Sequence, residues 1–140
     1  MNRPLWLARF LIGLVFFFNV QCALVFLLDA AAYAPAFDLY GTAGENAIRG
    51  FGILFLMWNV PYGFALYHPH RYRTSLLQAV IMQAIGVMGE SALRLSLENP
   101  SPILISSIHR FILFDGIGLI MLGLAWAITS RNMEATHPMN

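Results

Sequence analysis

The chain has 140 residues, of which 59% are hydrophobic and 11% charged, with a mean hydropathy of +0.66 and a formal net charge of +1. A soluble domain usually carries about a quarter charged residues, so the composition excludes an ordinary soluble protein and indicates an integral membrane protein. All eight basic residues are arginines and they form no basic run, which leaves no electrostatic basis for nucleic-acid binding.

Four segments are long and apolar enough to cross a hydrocarbon core of about 30 Å, which takes roughly 20 helical residues. In chain order they are residues 5–28, 47–67, 75–97 and 102–129. Helix is the expected element, because backbone polar groups in lipid must be hydrogen-bonded within their own segment. We therefore predict an all-α integral membrane four-helix bundle, with residues 1–130 as a single domain and 131–140 as a disordered tail.

The placement of arginine predicts that both termini are cytoplasmic. Basic residues concentrate on the side shared by the two termini and the loop between the second and third segments, and this bias marks the cytoplasmic side. These residues are Arg3, Arg9, Arg71, Arg73 and Arg131. The long first loop, residues 29–46, is then extracytoplasmic, and its PAFDLYG stretch either lies along the interface or folds over the mouth of the bundle. We expect such a protein in the cytoplasmic (inner) membrane of a bacterium.

Each of the last three segments carries polar residues and glycines in one stripe at the helical repeat. Small residues let helices approach closely in lipid, so each stripe predicts an inward face. A rise of about 1.5 Å per residue places the polar residues between the midplane and the outer surface, with an almost purely apolar inner half. This asymmetry predicts a pocket open to the outside and disfavours a continuous proton or ion path. The candidate ligand-binding residues are Trp58, Asn59, Gln83, Glu90, Arg94, Arg110 and Asp115.

Glu90 raises the sharpest question, because a charged side chain at a bilayer centre costs roughly 2.5–3.5 kcal/mol and is rarely left unpaired. Arg94 follows it by one helical turn in the order that favours an ion pair. Arg110, on the next helix, is a second candidate partner at a similar depth. Two interpretations stay open: the charges hold the third and fourth helices in register, or they form the polar end of a site.

Asp115 differs from Glu90, since it lies about 140° around its helix from Arg110 and so lacks an arginine partner. Desolvation of such a midplane carboxyl favours its neutral form. It then forms a structural hydrogen bond to Asn59, Gln83 or a backbone carbonyl, or acts as an acid or hydrogen-bond donor facing a lipophilic ligand.

Histidine and cysteine give weak signals. His68 and His70 have no nearby third ligand, so no metal site is predicted. The single cysteine, Cys22, excludes an intramolecular disulfide and is interpreted as an apolar filler.

The stretch ENAIRGFGILFLMWNVPY, residues 45–62, resembles the DoxX-like small membrane proteins. In that family a long external loop is followed by an acidic residue, an arginine and glycines that open the second helix, and Glu45, Arg49, Gly50 and Gly52 match this pattern. The resemblance implies a compact four-helix bundle, often accessory to membrane redox or quinone-linked systems. It carries over no catalytic residue, and the single cysteine departs from the paired thiols of some redox relatives.

The leading functional hypothesis is non-enzymatic binding of a quinone, an isoprenoid or a lipid, or of a partner membrane subunit, in a mostly apolar cleft with a few convergent polar groups. No particular cofactor is predicted. The alternative is an intramembrane enzyme in which Glu90 and Asp115 act as acid and base on a hydrophobic substrate. That constellation is similar in kind to the EXPERA sterol isomerases, without a motif match.

Overall fold

The structure is a computed structural model that describes residues 3–136, with the backbone alone at residue 3 and at residues 132–136. Throughout this part of the chain the secondary structure is helical, as predicted, and no strand occurs. Five α-helices and one 3-10 helix follow each other in the order α1 Arg3–Leu28, α2 Ala30–Tyr33, the 3-10 helix Ala34–Phe37, α3 Gly41–Tyr67, α4 Arg73–Ser96 and α5 Pro102–Thr136.

Four of these helices are long and apolar enough to cross a membrane, which confirms the predicted number of spans. The candidate spans are Pro4–Leu28, Gly41–Tyr67, Arg73–Ser96 and Pro102–Arg131.

Two helices extend beyond the apolar segments predicted from the sequence. α3 begins at Gly41, six residues before the predicted segment. The prediction started at residue 47 because a hydropathy criterion counts apolar residues and misses polar helical turns. The polar first turns of α3 carry an ion pair between Glu45 and Arg49, at 3.2 Å. α5 continues to Thr136, although a tail was expected from residue 131, since no glycine or proline occurs in residues 131–137. Residues 137–140 of the expected tail lie outside the described part of the chain.

The four long helices pack in a ring. α1 contacts α3 and α5, and α4 contacts the same two helices from the opposite side. Within the described residues, no Cα atoms of the diagonal pairs, α1 with α4 and α3 with α5, lie within 8 Å of each other. α1 and α3 approach each other so closely at Gly52 that this position requires a glycine. A Cβ there would lie 2.8 Å from the carbonyl oxygen of Ala23 in α1.

The interior has two hydrophobic clusters at different heights. The aliphatic cluster joins the first half of α1 to the second half of α3, the start of α4 and the second half of α5. Its buried residues are Ala8, Ile12, Val15, Tyr62, Ala65, Leu76, Ala79, Leu122 and Ala125. The aromatic cluster, at the other end, consists of the rings of Phe26, Phe37, Phe55 and Phe111, whose neighbouring centroids lie 5.8–6.3 Å apart.

The first loop folds over the end of the ring of helices, which is one of its two predicted positions. Phe37 of the 3-10 helix enters the aromatic cluster, and Ala30 and Ala34 are buried beside it. Ser101, in the turn before α5, donates a hydrogen bond to Asp38 at 2.9 Å and ties the loop down. The loop therefore closes this end of the structure with apolar rings.

Candidate ligand site

A cavity of about 420 Å³ lies between the four long helices. Every long helix contributes to its wall. The lining residues are Asn19 and Cys22 of α1; Phe55, Trp58, Asn59 and Tyr62 of α3; Met82, Gln83, Ile85, Gly86, Gly89 and Glu90 of α4; and Phe111, Phe114 and Asp115 of α5.

The two hydrophobic clusters bound the cavity along the helix axes. Phe55 and Phe111 of the aromatic cluster line it at one end, and Tyr62 of the aliphatic cluster lines it at the other. The sequence predicted a pocket open at the end that carries the first loop. In the structure, Phe37 and the rest of the aromatic cluster lie at that end, because the first loop folds inward over the ring of helices.

The cavity opens sideways, between α3 and α4. Two of its lining side chains are strongly exposed: Trp58 of α3 at 51% and Ile85 of α4 at 58%. α3 and α4 also pack less extensively than the other neighbouring pairs of the ring. Because both are candidate membrane spans, this side opening faces the position of the lipid tails.

A chain of hydrogen bonds crosses the cavity wall from α3 to α5. The Tyr62 hydroxyl donates to Gln83 Oε1 at 2.7 Å, and Gln83 Nε2 donates to Asp115 Oδ1 at 2.8 Å. Gln83 is only 4% exposed and links the two other helices through opposite ends of one amide. Of the partners predicted for Asp115, Gln83 is the one in contact.

Two glycines make room for this chain. A Cβ at Gly118 of α5 would lie 2.6 Å from Gln83 Nε2, and a Cβ at Gly86 of α4 would overlap Asp115 Oδ2. Each glycine follows the polar residue of its own helix by one turn and accommodates the polar residue of the facing helix. The stripes of polar residues and glycines seen in the sequence therefore mark a reciprocal contact between α4 and α5.

Asn59 carries an unsatisfied acceptor. Its side chain is 5% exposed and its Nδ2 donates to the Phe55 carbonyl oxygen at 2.7 Å, which fixes the orientation of the amide. Its Oδ1 is buried and has no partner in the described part of the chain. Buried polar atoms nearly always have a partner, so this unpaired oxygen is an unfavourable feature of the wall.

In the part of the chain that the structure describes, Glu90 forms neither of the two ion pairs that its position in the sequence allows. In the described residues neither Arg94 nor Arg110 lies within ion-pair distance of it. Arg110 is exposed and donates to Ser107 on its own helix at 3.2 Å, and Arg94 has a buried Nε without a hydrogen-bond partner. The helical spacing permits a Glu90–Arg94 pair but does not impose one, and Glu90 lines the cavity whereas the two arginines do not.

Five of the seven candidate residues therefore meet at one cavity. They are Trp58, Asn59, Gln83, Glu90 and Asp115. The wall they form carries two carboxyl groups and no arginine or histidine side chain within the described residues.

Three polar members of the wall, Asn19, Cys22 and Tyr62, are not among the ligand-binding residues predicted from the sequence. Tyr62 is 3% exposed and begins the hydrogen-bond chain. The available signal was its position one turn after Asn59 on the same helix. Cys22, interpreted as a filler, follows Asn19 by one turn in the same way, and both line the cavity.

Comparison with family models, with curated proteins and with solved structures gives no match for this chain.

Proposed function

We propose that this chain is a four-helix integral membrane protein that binds a lipophilic molecule in the cavity between its four long helices, which opens between α3 and α4. The observation that carries the proposal is the cavity itself, whose volume of about 420 Å³ falls within the roughly 300–1,000 Å³ typical of ligand pockets. Its wall is mainly apolar and aromatic, with a few convergent polar groups, as such pockets usually are.

The side opening determines how a ligand enters. Trp58 and Ile85 flank a gap between two candidate membrane spans, whereas the ends of the cavity are bounded by the two hydrophobic clusters. A ligand of this site therefore arrives from the lipid phase. The proposed occupants are a quinone, an isoprenoid or another lipid, with its polar group near Asn59 and Asp115.

The proposal includes an orientation. With both termini on the cytoplasmic side, as the arginines of the termini and of the α3–α4 turn favour, the aliphatic cluster lies toward the cytoplasm. The cavity then lies in the extracytoplasmic half, and the aromatic cluster covers it on that side.

A DoxX-like role as an accessory subunit of a membrane redox system belongs to the same proposal. The acidic residue and the arginine of that pattern, Glu45 and Arg49, pair at 3.2 Å at the start of α3 and do not line the cavity. They leave the cavity free for a lipophilic molecule and support the beginning of the helix that forms one side of its opening.

Substitution at Cys22 tests the proposal, because this side chain lines the cavity from α1. Cys22→Phe adds a ring to the cavity wall, and the matched control Cys22→Ala removes the same thiol and leaves the space open. Each protein is purified in mild detergent from the same membranes, and extracted molecules are identified and quantified by mass spectrometry. Circular dichroism and gel filtration verify that the variants fold.

We expect one class of lipophile to co-purify with the original protein and with Cys22→Ala. The amount that co-purifies with Cys22→Phe should be at least about fivefold lower, because the added ring fills the space that holds the lipophile. Equal retention by both variants would contradict the proposal. So would the recovery of bulk membrane lipid alone, in the same proportions as in the membrane.

Intramembrane acid–base catalysis is the second candidate, and one observation favours it. Glu90 and Asp115, on adjacent helices, line the same cavity. Substitution of Asp115 by Asn separates the two functions, because an enzyme would lose turnover of the retained lipophile while still binding it. A binding protein would keep its fold and lose affinity at most.

A further inference from the structure

We propose that the occupant of the cavity is a lipophilic organic cation, an ammonium-type group on an apolar body, whose charge lies against Glu90 and Asp115. This inference rests on the proposed binding of a lipophilic molecule and selects a cationic ligand over the neutral occupants named above. Both carboxyl groups line the cavity, on α4 and α5, and no arginine or histidine lines it in the described part of the chain. A bound cation would stabilise the charged form of these carboxyls, which a neutral quinone or isoprenoid would not do.

The neighbouring arginines do not supply that counter-charge. Arg94 lies one helical turn beyond Glu90 without forming an ion pair in the described residues, and Arg110 is exposed and bonded to Ser107. Charged side chains inside a membrane are costly, and they normally face a partner charge or a functional site. A cationic ligand would provide the partner.

The hydrogen bonds of the wall tie its polar groups to each other. Tyr62, Gln83 and Asn59 each donate within the protein, at 2.7, 2.8 and 2.7 Å to the oxygens of Gln83, Asp115 and Phe55 respectively. The Asp115 carboxyl is thereby held in the wall, and an ionised carboxyl carries acceptors alone. The wall is therefore suited to a ligand that brings positive charge or N–H donors.

Aromatic rings supply the rest of the site. Phe55, Trp58, Tyr62, Phe111 and Phe114 all line the cavity. The faces of such rings attract cations, and cages of aromatic side chains are a recurring way to bind quaternary ammonium groups. Trp58 lies at the side opening, with its ring centroid 5.9 Å from that of Phe55, where an entering cation would meet it first.

A phospholipid headgroup does not fit these observations. Its phosphate would bring a negative charge toward the two carboxyls. Asp115 also lies thirteen residues beyond Pro102, the start of α5, which is about 20 Å along the helix. The site is therefore at tail depth, where a free lipophilic cation reaches it and a headgroup does not.

Binding should depend on pH with a defined sign. The titratable groups that line the cavity are Cys22 on α1, Tyr62 on α3, Glu90 on α4 and Asp115 on α5. A protonated carboxyl offers the cation no charge, so cation binding displaces protons from the carboxyls and affinity falls as the pH is lowered. A neutral ligand lacks this dependence.

The test uses benzyltrimethylammonium and its neutral carbon isostere neopentylbenzene. Binding to the full-length protein in phosphatidylcholine nanodiscs is measured by isothermal titration calorimetry, with empty nanodiscs as the blank for partitioning. We expect saturable binding of the cation and at least about tenfold weaker binding of the isostere, because only the cation gains attraction from the carboxyls.

Charge-neutralising variants identify which carboxyl groups attract the cation. Glu90→Gln and Asp115→Asn should each weaken cation binding by about tenfold or more and leave the isostere unaffected. Glu98→Gln is the matched control, because Glu98 is exposed in the turn after α4 and does not line the cavity. It should bind the cation as the original protein does.

Three results would overturn the inference: equal affinity for the cation and the isostere, cation binding unchanged in both cavity variants, or heats equal to those of empty nanodiscs. Repeating the titration in phosphatidylglycerol, whose headgroup carries no amine, adds a fourth. Cation binding seen there and abolished in phosphatidylcholine would assign the site to a lipid headgroup. Failure of the proposed function would instead be seen with Cys22→Phe, in the co-purification of lipophiles.

Discussion

Gly118 is the position at which the hydrogen-bond chain across α3, α4 and α5 can be perturbed most directly. An alanine there would place its Cβ 2.6 Å from Gln83 Nε2 and 3.0 Å from Gln83 Cδ. Contacts this short force the Gln83 side chain to move. Gln83 is 4% exposed and bonded at both ends of its amide, to Tyr62 and to Asp115, so any movement breaks at least one of these bonds.

The expected cost follows from the bonds at risk. Hydrogen bonds between membrane helices average about 0.6 kcal/mol and reach about 1.7 kcal/mol, so two of them amount to roughly 1–3 kcal/mol. Overpacking of a well-filled interior costs a similar amount, about 1–3 kcal/mol. Alanine also gains about 1 kcal/mol of helix propensity over glycine, which would hide part of the loss.

Gly123→Ala is the matched control for that gain. Gly123 lies in the same helix, and a Cβ there would meet no atom within 4 Å. We expect Gly118→Ala to be less stable than Gly123→Ala by about 1–3 kcal/mol, measured by reversible unfolding in mixed micelles and followed by circular dichroism.

A third variant identifies the clash as the cause. Adding Gln83→Ala removes the side chain that the new methyl group would meet, so the double variant should lose less stability than the sum of the two single substitutions. Equal stability of Gly118→Ala and Gly123→Ala, or strictly additive losses, would refute the reciprocal packing of glycines and polar side chains.

Three further outcomes are expected. Tyr62→Phe removes the first donor of the hydrogen-bond chain and should lower the unfolding free energy by about 1 kcal/mol. Tyr40→Phe, at an exposed position, should leave the unfolding free energy unchanged, and equal losses in the two variants would contradict the role of the Tyr62 bond. Trp126→Leu removes the ring that lies 4.6 Å from the Arg73 guanidinium and should cost about 0.5–2 kcal/mol in the same assay, with no loss arguing against that contact. Phe37→Ala should speed amide hydrogen exchange in the first loop, and unchanged exchange would show that the aromatic cluster does not hold it.

Hydropathy predicted the number of membrane spans but not all helix ends. A hydropathy scale measures how apolar a segment is, whereas a helix ends where its backbone hydrogen bonds end. Such a scale therefore does not detect the polar first turns of α3, from Gly41, or the end of α5 at Thr136. Helix propensity and the positions of glycine and proline were the missing information.

The polar stripes predicted which residues line the cavity better than they predicted which of these side chains are hydrogen-bonded to each other. Periodicity places Asn59, Gln83 and Asp115 on inward faces, and all three line the cavity. Which side chains bond to each other depends on rotamers and on the separation of the helices. For that reason, the bond from Gln83 to Asp115 was one of several possibilities, and the pairing of Glu90 with Arg94 did not follow from their spacing.

Under the proposed function, the gap between Trp58 and Ile85 makes occupancy of the cavity depend on the lipid phase. A solute that enters through this gap must first dissolve among the acyl chains, so its mole fraction in the leaflet, and not its concentration in the surrounding buffer, governs saturation. Two compounds with the same intrinsic fit would then fill the protein to different extents according to their partition coefficients. Dose–response curves for this protein should shift with the amount of lipid present, and should coincide once each dose is expressed per lipid molecule.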